Sequence, residues 1–201
     1  MAAPLEFYFD FSSPYGYIAA QRIDALAAKH GRSVDWRPML LGAVFKVAGT
    51  QPLTDYPLKG KYSTHDFKRS AREHGIAFHM PAVFPLPTQG ACRGTYWLKQ
   101  AAPDKAVPFA RAVYAAYFVE GQDISSAEVL ADIASALGID RKAFLAGIES
   151  PEIKAKLREV TEDAIQHRGV FGSPYTFVDG EPFWGADRLD QIDRWLSRGG
   201  W

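Results

Sequence analysis

The stretch Phe7-Tyr8-Phe9-Asp10-Phe11-Ser12-Ser13-Pro14-Tyr15 leads from a predicted strand straight into a predicted helix. Its residues alternate, with Leu5, Phe7 and Phe9 on one face of the strand and Glu6, Tyr8 and Asp10 on the other. Ser13 is a favourable N-cap, and Pro14 is a favoured first helical residue. Alanines and large apolar residues follow as far as a predicted stop at His30-Gly31.

The Ser13 hydroxyl stands at a junction that suits an anion. Unpaired backbone N–H groups and the positive end of the helix dipole converge where a strand turns into a helix. Helix caps far outnumber ligand sites, however, so this stretch alone favours a plain cap. The case for a site depends on the rest of the chain.

The later residues predict how the sheet is completed. Val34–Pro38 is predicted as a second strand, parallel to the first and joined to it by a right-handed β-α-β crossover. Strand signals return only after Gly169, where residues 175–184 predict a hairpin around an Asp179-Gly180 turn. Asp187 is then predicted to cap a last helix.

Helical signals dominate the middle of the chain. The predicted helices cover residues 65–74, 90–100, 107–120, a segment that begins with the Ser125/Glu128 capping box, a segment capped by Asp140, and a long segment that starts at Ser150-Pro151. The sequence therefore predicts an α/β protein, with a thioredoxin-like sheet domain (residues 1–40 and 155–201) and an inserted all-helical domain (residues 41–154). Ligands of such sheets gather at strand ends near helix N-termini, which places Ser13, Ser173-Pro174 and Asp187 on one rim.

Composition excludes several classes of partner. The 201 residues hold 23 Lys and Arg against 23 Asp and Glu, and no block of like charge suggests a nucleic-acid or anionic-membrane surface. No apolar run approaches the length of a transmembrane helix, and the first residues show no signal-peptide pattern. The lone Cys92 fits a reducing compartment and is read as a buried small hydrophobe. These features predict a cytoplasmic protein.

The residues at the first helix limit the chemistry. A dithiol oxidoreductase carries Cys-x-x-Cys at this position, whereas this chain has Ser13-Pro14-Tyr15-Gly16 and cannot perform dithiol exchange with its own residues. A hydroxyl in place of the thiol indicates a site that stabilises the thiolate of another molecule, and glutathione is the obvious soluble donor. The five histidines show no paired metal-ligand spacing, so no metal is expected.

The chain resembles the glutathione-dependent group of 2-hydroxychromene-2-carboxylate isomerases and class-kappa glutathione transferases, relatives of the DsbA-type oxidoreductases. The resemblance spans nearly the whole chain. It is carried by Phe9-Asp10-Phe11-Ser12-Ser13-Pro14-Tyr15, Trp36-Arg37-Pro38-Met39-Leu40-Leu41-Gly42, Pro57-Leu58-Lys59-Gly60-Lys61-Tyr62, Phe171-Gly172-Ser173-Pro174 and Phe183-Trp184-Gly185-Ala186-Asp187-Arg188-Leu189. Each motif is weak alone, but their order and spacing together are specific.

The resemblance implies roles for the centre of the site. Ser13 would hydrogen-bond the glutathione sulfur and favour its thiolate. Ser173 precedes what is a cis proline in this family, Pro174, and would pair its backbone with the cysteinyl part of the tripeptide. Asp187 and Arg188 would hold the amine and carboxylate of the γ-glutamyl end.

Two further positions follow from the resemblance. Lys59 corresponds to a lysine that meets the glycyl carboxylate. Thr50 stands where the family usually has asparagine, so it keeps a hydroxyl but loses the two-ended amide. A homodimer and a small aromatic substrate are also implied.

The implied activity is isomerisation of an intermediate of aromatic catabolism. The thiolate would add reversibly to an unsaturated bond, permit rotation and leave, so that glutathione acts as a cofactor. One alternative is a kappa-like transferase that conjugates glutathione to an electrophile and consumes it. Another is a non-catalytic binding protein of the same fold.

Overall fold

One mixed sheet joins the two ends of the chain in the computed structural model, which describes residues 2–201. Its strands are β1 (Leu5–Phe9), β2 (Val34–Pro38), β3 (Tyr175–Val178) and β4 (Glu181–Trp184), in the order β2-β1-β3-β4. β1 is parallel to β2 and antiparallel to β3, with Tyr8 opposite Tyr175. The predicted thioredoxin-like sheet, including the parallel β-α-β start, is confirmed.

Helices fill the rest of the described chain. They are α1 (Pro14–Ala20), α2 (Ile23–Lys29), α3 (Leu41–Ala48), α4 (Lys59–Glu73), α5 (Gln89–Ala101), α6 (Pro103–Phe118), α7 (Ala127–Ala136), α8 (Arg141–Glu149), α9 (Pro151–Gln166) and α10 (Leu189–Arg198). Two short 3-10 turns occupy Leu53–Asp55 and Ala186–Arg188. In residues 2–201 no helix combines the length and the apolar character that a bilayer crossing requires.

The alternation of β1 places its side chains in two separate cores. Phe7 and Phe9 pack with Trp36 in the larger core, at ring-centroid distances of 5.3 Å from its indole. Tyr8 points to the opposite face and packs with Phe177 in the second core. Fully burying a side chain of this size contributes roughly 1.5–3 kcal/mol, so both faces fix the register of β1.

The predicted first helix divides into α1 and α2. Between them the Arg22 N–H bonds to the Ala19 carbonyl three residues earlier, which tightens the backbone into a 3-10 step. The Arg22 side chain also pairs with Asp190 of α10. The break is set by this local geometry, and the apolar periodicity that continues through both helices could not reveal it.

Three predicted helix starts are wrong, and the first is that of α6, which begins at Pro103 and not at residue 107 because a proline suits the first helical position. α4 begins at Lys59 and not at His65, because its first turn packs through the backbone of Gly60 against the Thr54 carbonyl and not through apolar side chains. α7 is capped by Ser126, whose Oγ accepts from Val129, and not by Ser125. Ser125 instead donates both its N–H and its hydroxyl to Asp123.

Other local predictions hold. Asp140 and Ser150 cap α8 and α9 through the N–H groups of Ala143 and Ile153. The β3–β4 hairpin turns through Asp179 and Gly180, whose φ angles of 53° and 92° are those of a type I′ turn.

Candidate functional site

Ser13 and Ser173 meet at the N-terminus of α1. The Ser13 Oγ accepts a hydrogen bond from the Gly16 N–H at 3.0 Å and donates one to the Ser173 carbonyl at 3.0 Å. Ser13 is therefore a helix cap, as the local sequence favours, and it also contacts the loop before β3. These two serines and Pro174 are called the Ser13 rim below.

Gly16 lets the two sides of the Ser13 rim approach closely. A Cβ at this position would lie 2.8 Å from the Tyr114 hydroxyl and 3.0 Å from both the Ser13 Cβ and the Ser173 Oγ. Distances below 3.0 Å force something to move, so a larger residue here would displace the Tyr114 hydroxyl and crowd both serines.

The bonding of the Ser13 hydroxyl defines what it can do for a ligand. A hydroxyl has one proton to donate and two lone pairs. Its proton is directed at the Ser173 carbonyl, so it serves an external anion only by turning away from that oxygen. Ser13 is 5% exposed, which means that a ligand atom must come directly to the rim to reach it.

The Ser173–Pro174 loop is hydrogen-bonded to the residue that follows β1 and to the residue that follows β4. Its peptide bond is cis, which confirms that prediction. The Ser173 Oγ accepts from the Asp10 N–H at 3.2 Å, and the Pro174 carbonyl accepts from the Gly185 N–H at 3.0 Å. The second bond places the segment that precedes Asp187 beside the Ser13 rim.

Asp187 and Arg188 lie in a 3-10 turn that runs directly into α10. Arg188 holds the N-cap position, so the predicted capping role of Asp187 is wrong. Gly185, with a φ of 114°, redirects the chain into the turn first. The two side chains, 71% and 49% exposed, form an ion pair at 3.0 Å.

Tyr15 connects α4 to the start of α1. Its hydroxyl donates to the Asp66 carboxylate and its ring packs edge-on against Phe67 at 4.9 Å. Burial chiefly raises the pKa of the Tyr15 phenol, and the negative charges of Asp66 and Asp187 add to the rise. Both α4 and the 3-10 turn that holds Asp187 pack against the helix that Ser13 caps.

Thr50 and Lys59 lie in the segment that leads from α3 into α4. Thr50 follows the end of α3 and Lys59 is the first residue of α4, with its Nζ 4.9 Å from the centre of the Tyr56 ring. Within the described chain neither side chain bonds to Ser13, Ser173, Asp187 or Arg188. A cleft of about 570 Å³, lined by residues that include Gly60 and Lys61, borders Lys59.

A cleft of about 670 Å³ lies on the face of the sheet that carries Tyr8. Two of its cations are already paired, since Arg37 and Lys99 both contact Asp35 at 2.6 Å. We therefore place the candidate site at the Ser13 rim and not in this cleft. Over residues 2–201 no group of three or more His, Cys, Asp or Glu side chains could hold a metal.

Sequence reasoning missed the polar partners of this site. Asp66 sits in a polar helix where nothing marks it as the acceptor for Tyr15, and Thr88, which bonds to Asp10, lies next to a proline-rich segment. The exposed aromatic pair Phe171 and Trp184, with ring centroids 4.8 Å apart, flanks the Ser173 loop and was also not singled out. Only the acidic character of Asp10 within the first motif could have directed attention to its environment.

Known proteins with similar sequences fall in one group. Residues 4–197 match the DSBA-like thioredoxin domain. A 2-hydroxychromene-2-carboxylate isomerase of Sphingobium xenophagum is 31% identical over 198 residues, covering 98% of this chain and 99% of that protein. Glutathione S-transferase kappa 1 of Rattus norvegicus is 24% identical and covers 96% of this chain and 92% of its own length.

A solved 2-hydroxychromene-2-carboxylate isomerase has the same architecture. It superposes with a TM-score of 0.87 at 31% identity, covering 96% of this chain and 94% of that one. Sequence and structure thus agree over nearly the full length. The chain belongs to the DSBA-like thioredoxin family, within the group that holds the 2-hydroxychromene-2-carboxylate isomerases and the kappa-class glutathione transferases.

Proposed function

We propose that this protein is a glutathione-dependent isomerase that acts on an unsaturated, ring-opened intermediate of aromatic catabolism. One observation carries the proposal: the Ser13 hydroxyl lies 3.0 Å from the Ser173 carbonyl, at a helix N-terminus where an oxidoreductase would hold its thiol. The similarity to isomerases over the full chain supports the reaction class.

The exposed groups around the Ser13 rim fit the chemistry of glutathione. The tripeptide carries one amine and two carboxylates, and the chain offers the carboxylate of Asp187 and the cations of Arg188 and Lys59. The Asp187–Arg188 pair is exposed at the surface, where such pairs contribute little, so its members can turn to a ligand at small cost.

Each residue of the candidate site would have its own part in binding glutathione or in activating its thiol. Ser173 would pair its backbone with the cysteinyl unit beside Pro174, while Asp187 and Arg188 hold the γ-glutamyl end and Lys59 the glycyl end. Thr50 would add a hydroxyl contact. Ser13 would turn its proton from the Ser173 carbonyl to the sulfur, where the helix dipole favours the same negative charge. When bound, glutathione would supply the thiolate that adds to the substrate and leaves unchanged.

The proposal also includes three expectations from the sequence, of which only the first comes from the resemblance. These are a homodimeric assembly, a cytoplasmic location, and the division into a sheet domain (residues 1–40 and 155–201) and a helical insertion (residues 41–154). The concentration of all four described strands in β1, β2, β3 and β4 at the two chain ends supports that division. The aromatic substrate would meet the sulfur from the side where α4 packs against α1.

A kappa-like transferase is the second candidate, supported by the similarity to the rat kappa enzyme. It would use the same binding residues but consume glutathione. Thiol balance during turnover separates the two activities, because an isomerase returns the thiol and a transferase does not.

The test is to incubate the purified protein with 2-hydroxychromene-2-carboxylate and related aromatic 2-oxo acids, with and without glutathione. We expect isomerisation that requires glutathione while the free thiol stays constant. Loss of one thiol for each substrate converted would instead identify the transferase. Glutathione binding without turnover on either substrate type would leave a binding protein, and isomerisation at full rate without glutathione would overturn the cofactor assignment.

A further inference from the structure

Asp10 connects the segments that converge on the Ser13 rim. Its main-chain carbonyl accepts from the Ser13 N–H at 3.0 Å and from the Tyr114 hydroxyl at 3.0 Å. Its N–H donates to the Ser173 Oγ at 3.2 Å. The backbone of one residue therefore touches both serines of the rim.

The Asp10 side chain fixes three further points. Oδ1 accepts from the Ser12 N–H at 2.8 Å and the Ser12 hydroxyl at 2.7 Å. Oδ2 accepts from the N–H of Leu41, the first residue of α3, at 2.8 Å and from the hydroxyl of Thr88 at 3.2 Å. Thr88 directly precedes α5, so a single carboxylate ties the starts of α1, α3 and α5 together.

Asp10 is 2% exposed, and among residues 2–201 no cation forms an ion pair with it. Burial raises its pKa, while the hydrogen bonds from Leu41, Ser12 and Thr88 oppose the rise. Retaining a buried acid at this point carries a desolvation cost that an apolar residue would not have. Cys92 and Tyr114, which face it from α5 and α6, are uncharged donors with pKa values that burial raises.

We propose that Asp10 is a positioning residue for Ser13 and Ser173, setting the distance and direction from which the Ser13 hydroxyl meets the bound sulfur. This inference rests on the proposed glutathione-dependent function. Asp10 would not touch the ligand and would act through the two serines.

The variant Asp10→Asn keeps the shape of the side chain but removes its charge and one of its two acceptor oxygens. In Asp10→Asn the amide nitrogen must replace Oδ1 or Oδ2. The hydroxyls of Ser12 and Thr88 can rotate to accept from it, but the N–H of either Ser12 or Leu41 loses its acceptor. The loop before Ser13 or the start of α3 must then shift, and a displacement of about 1 Å at a reacting group can lower a rate by about a hundredfold.

Charge alone would have the opposite effect on the bound thiol. A buried anion near the site disfavours a thiolate, so removing only that charge would lower the pKa of bound glutathione. Loss of position would raise it, because the Ser13 hydroxyl would no longer meet the sulfur well. The direction of this shift therefore identifies the role.

The experiment measures the ultraviolet absorbance of the thiolate against pH for glutathione complexes of the wild type, Asp10→Asn, Thr88→Val and Thr88→Ser. We expect a higher thiol pKa and a 10- to 100-fold lower kcat in Asp10→Asn, with a smaller change in the KM for glutathione. Thr88→Val removes one donor and should move both quantities in the same direction by less, while Thr88→Ser restores them.

Thr95→Val is the matched control. Thr95 is also buried in α5, but its hydroxyl bonds only to the Ala91 carbonyl of the same helix. This variant should leave the thiol titration and kcat unchanged. If Asp10→Asn does not fold, the Thr88 pair still decides the question.

Two results overturn the inference while the proposed function stands. One is a thiol titration and a kcat in Asp10→Asn and Thr88→Val that match those of Thr95→Val. The other is a lower thiol pKa in Asp10→Asn, which would assign the residue a charge effect. A wild-type protein that does not lower the thiol pKa of bound glutathione would instead overturn the proposed function, and the inference with it.

Discussion

The Ser13 hydroxyl donates to the carbonyl of Ser173 across 3.0 Å, and this bond joins residues that lie 160 positions apart in the chain. This bond holds the N-terminus of α1 against the loop that precedes β3. The same hydroxyl caps α1 through the Gly16 N–H. The hydroxyl that caps α1 is therefore the same one that faces the candidate site. For this reason the sequence alone could not separate a capping role of Ser13 from a ligand-binding role.

Ser13→Ala should separate these two roles. The helix loses its cap, which typically costs about 1 kcal/mol, and the sulfur loses its hydrogen-bond donor. We expect the pKa of bound glutathione to rise by about one unit, since each unit corresponds to about 1.4 kcal/mol of preference for thiolate. Turnover at neutral pH should fall about tenfold or more, while most of the tripeptide affinity is kept.

Ser13→Gly is the matched control for the cap, because glycine at an N-cap costs only a few tenths of a kcal/mol relative to serine. The Ser13→Gly variant should be nearly as stable as the wild type but should turn over as slowly as Ser13→Ala. Thiolate absorbance against pH and thermal unfolding measure the two effects. Activity restored by glycine would reduce Ser13 to its capping role.

Gly16→Ala should destabilise the protein although alanine favours helices. The added Cβ would meet the Tyr114 hydroxyl at 2.8 Å and both serines at 3.0 Å, and such crowding typically costs about 1–3 kcal/mol. Gly42→Ala in α3 is the control, because a Cβ there meets nothing within 4 Å. We expect that control to gain up to about 1 kcal/mol from helix propensity.

Thermal unfolding and glutathione affinity test the prediction for Gly16. Gly16→Ala should lower both the unfolding temperature and the glutathione affinity, while Gly42→Ala lowers neither. A Gly16→Ala protein as stable as the Gly42 variant would mean that the Tyr114 hydroxyl and the two serines make room for the added methyl group at little cost.

The sheet could be predicted from sequence because its signals are local. Alternation in β1, the proline at the end of β2 and the Asp179-Gly180 turn each act within a few residues. The start of α4 could not be predicted, since it depends on Gly60 packing against the Thr54 carbonyl and not on apolar side chains. Apolar periodicity carries no information about such a contact.

The site was predicted only in part for a related reason. Ser13, Ser173 and Pro174 stand in motifs, and the fold brings them into contact. The partners that hold them, Asp10 and Thr88, bond across 78 positions through ordinary polar side chains. Sequence spacing cannot pair such residues, because their proximity is a product of the tertiary fold.

Tyr15→Phe should weaken the attachment of α4 to α1. Removing a partly buried hydroxyl that donates to a carboxylate costs about 1–3 kcal/mol, so we expect a lower free energy of unfolding at neutral pH. Tyr62→Phe is the control, since the Tyr62 hydroxyl is more exposed and bonds only to Arg69, and its effect should be small.

The same contact gives a pH dependence. Burial tends to raise the pKa of Asp66, but hydrogen bonds from Tyr15 and Arg69 outweigh it and hold the pKa below the ordinary 3.8. A carboxyl with a depressed folded-state pKa contributes stability above its unfolded value, and that contribution is lost as pH falls through the folded value. The stability gap between wild type and Tyr15→Phe should therefore narrow below about pH 4. A gap that stays constant down to the acid transition would show that Asp66 is not linked to Tyr15.

Asp187→Asn and Arg188→Ala should affect binding more than chemistry. In the proposed complex both side chains contact the γ-glutamyl end, which is remote from the sulfur. Loss of a contact made equally in the ground and transition states raises KM and leaves kcat unchanged. We expect each variant to weaken glutathione binding about tenfold, or ~1.4 kcal/mol, with little change in turnover at saturation.

Arg198→Ala supplies the matched control for this prediction, because Arg198 is an exposed cation at the opposite end of α10. Titration calorimetry with glutathione and with γ-glutamylcysteine compares the three variants. γ-Glutamylcysteine lacks the glycyl group, so the loss on Arg188→Ala should be the same for both ligands. Lys59→Gln should distinguish the two ligands, since it would weaken the binding of glutathione and leave the binding of γ-glutamylcysteine unchanged. Equal losses for both ligands in Lys59→Gln, or unchanged affinity in Asp187→Asn and Arg188→Ala, would require the tripeptide to lie in another orientation along the rim.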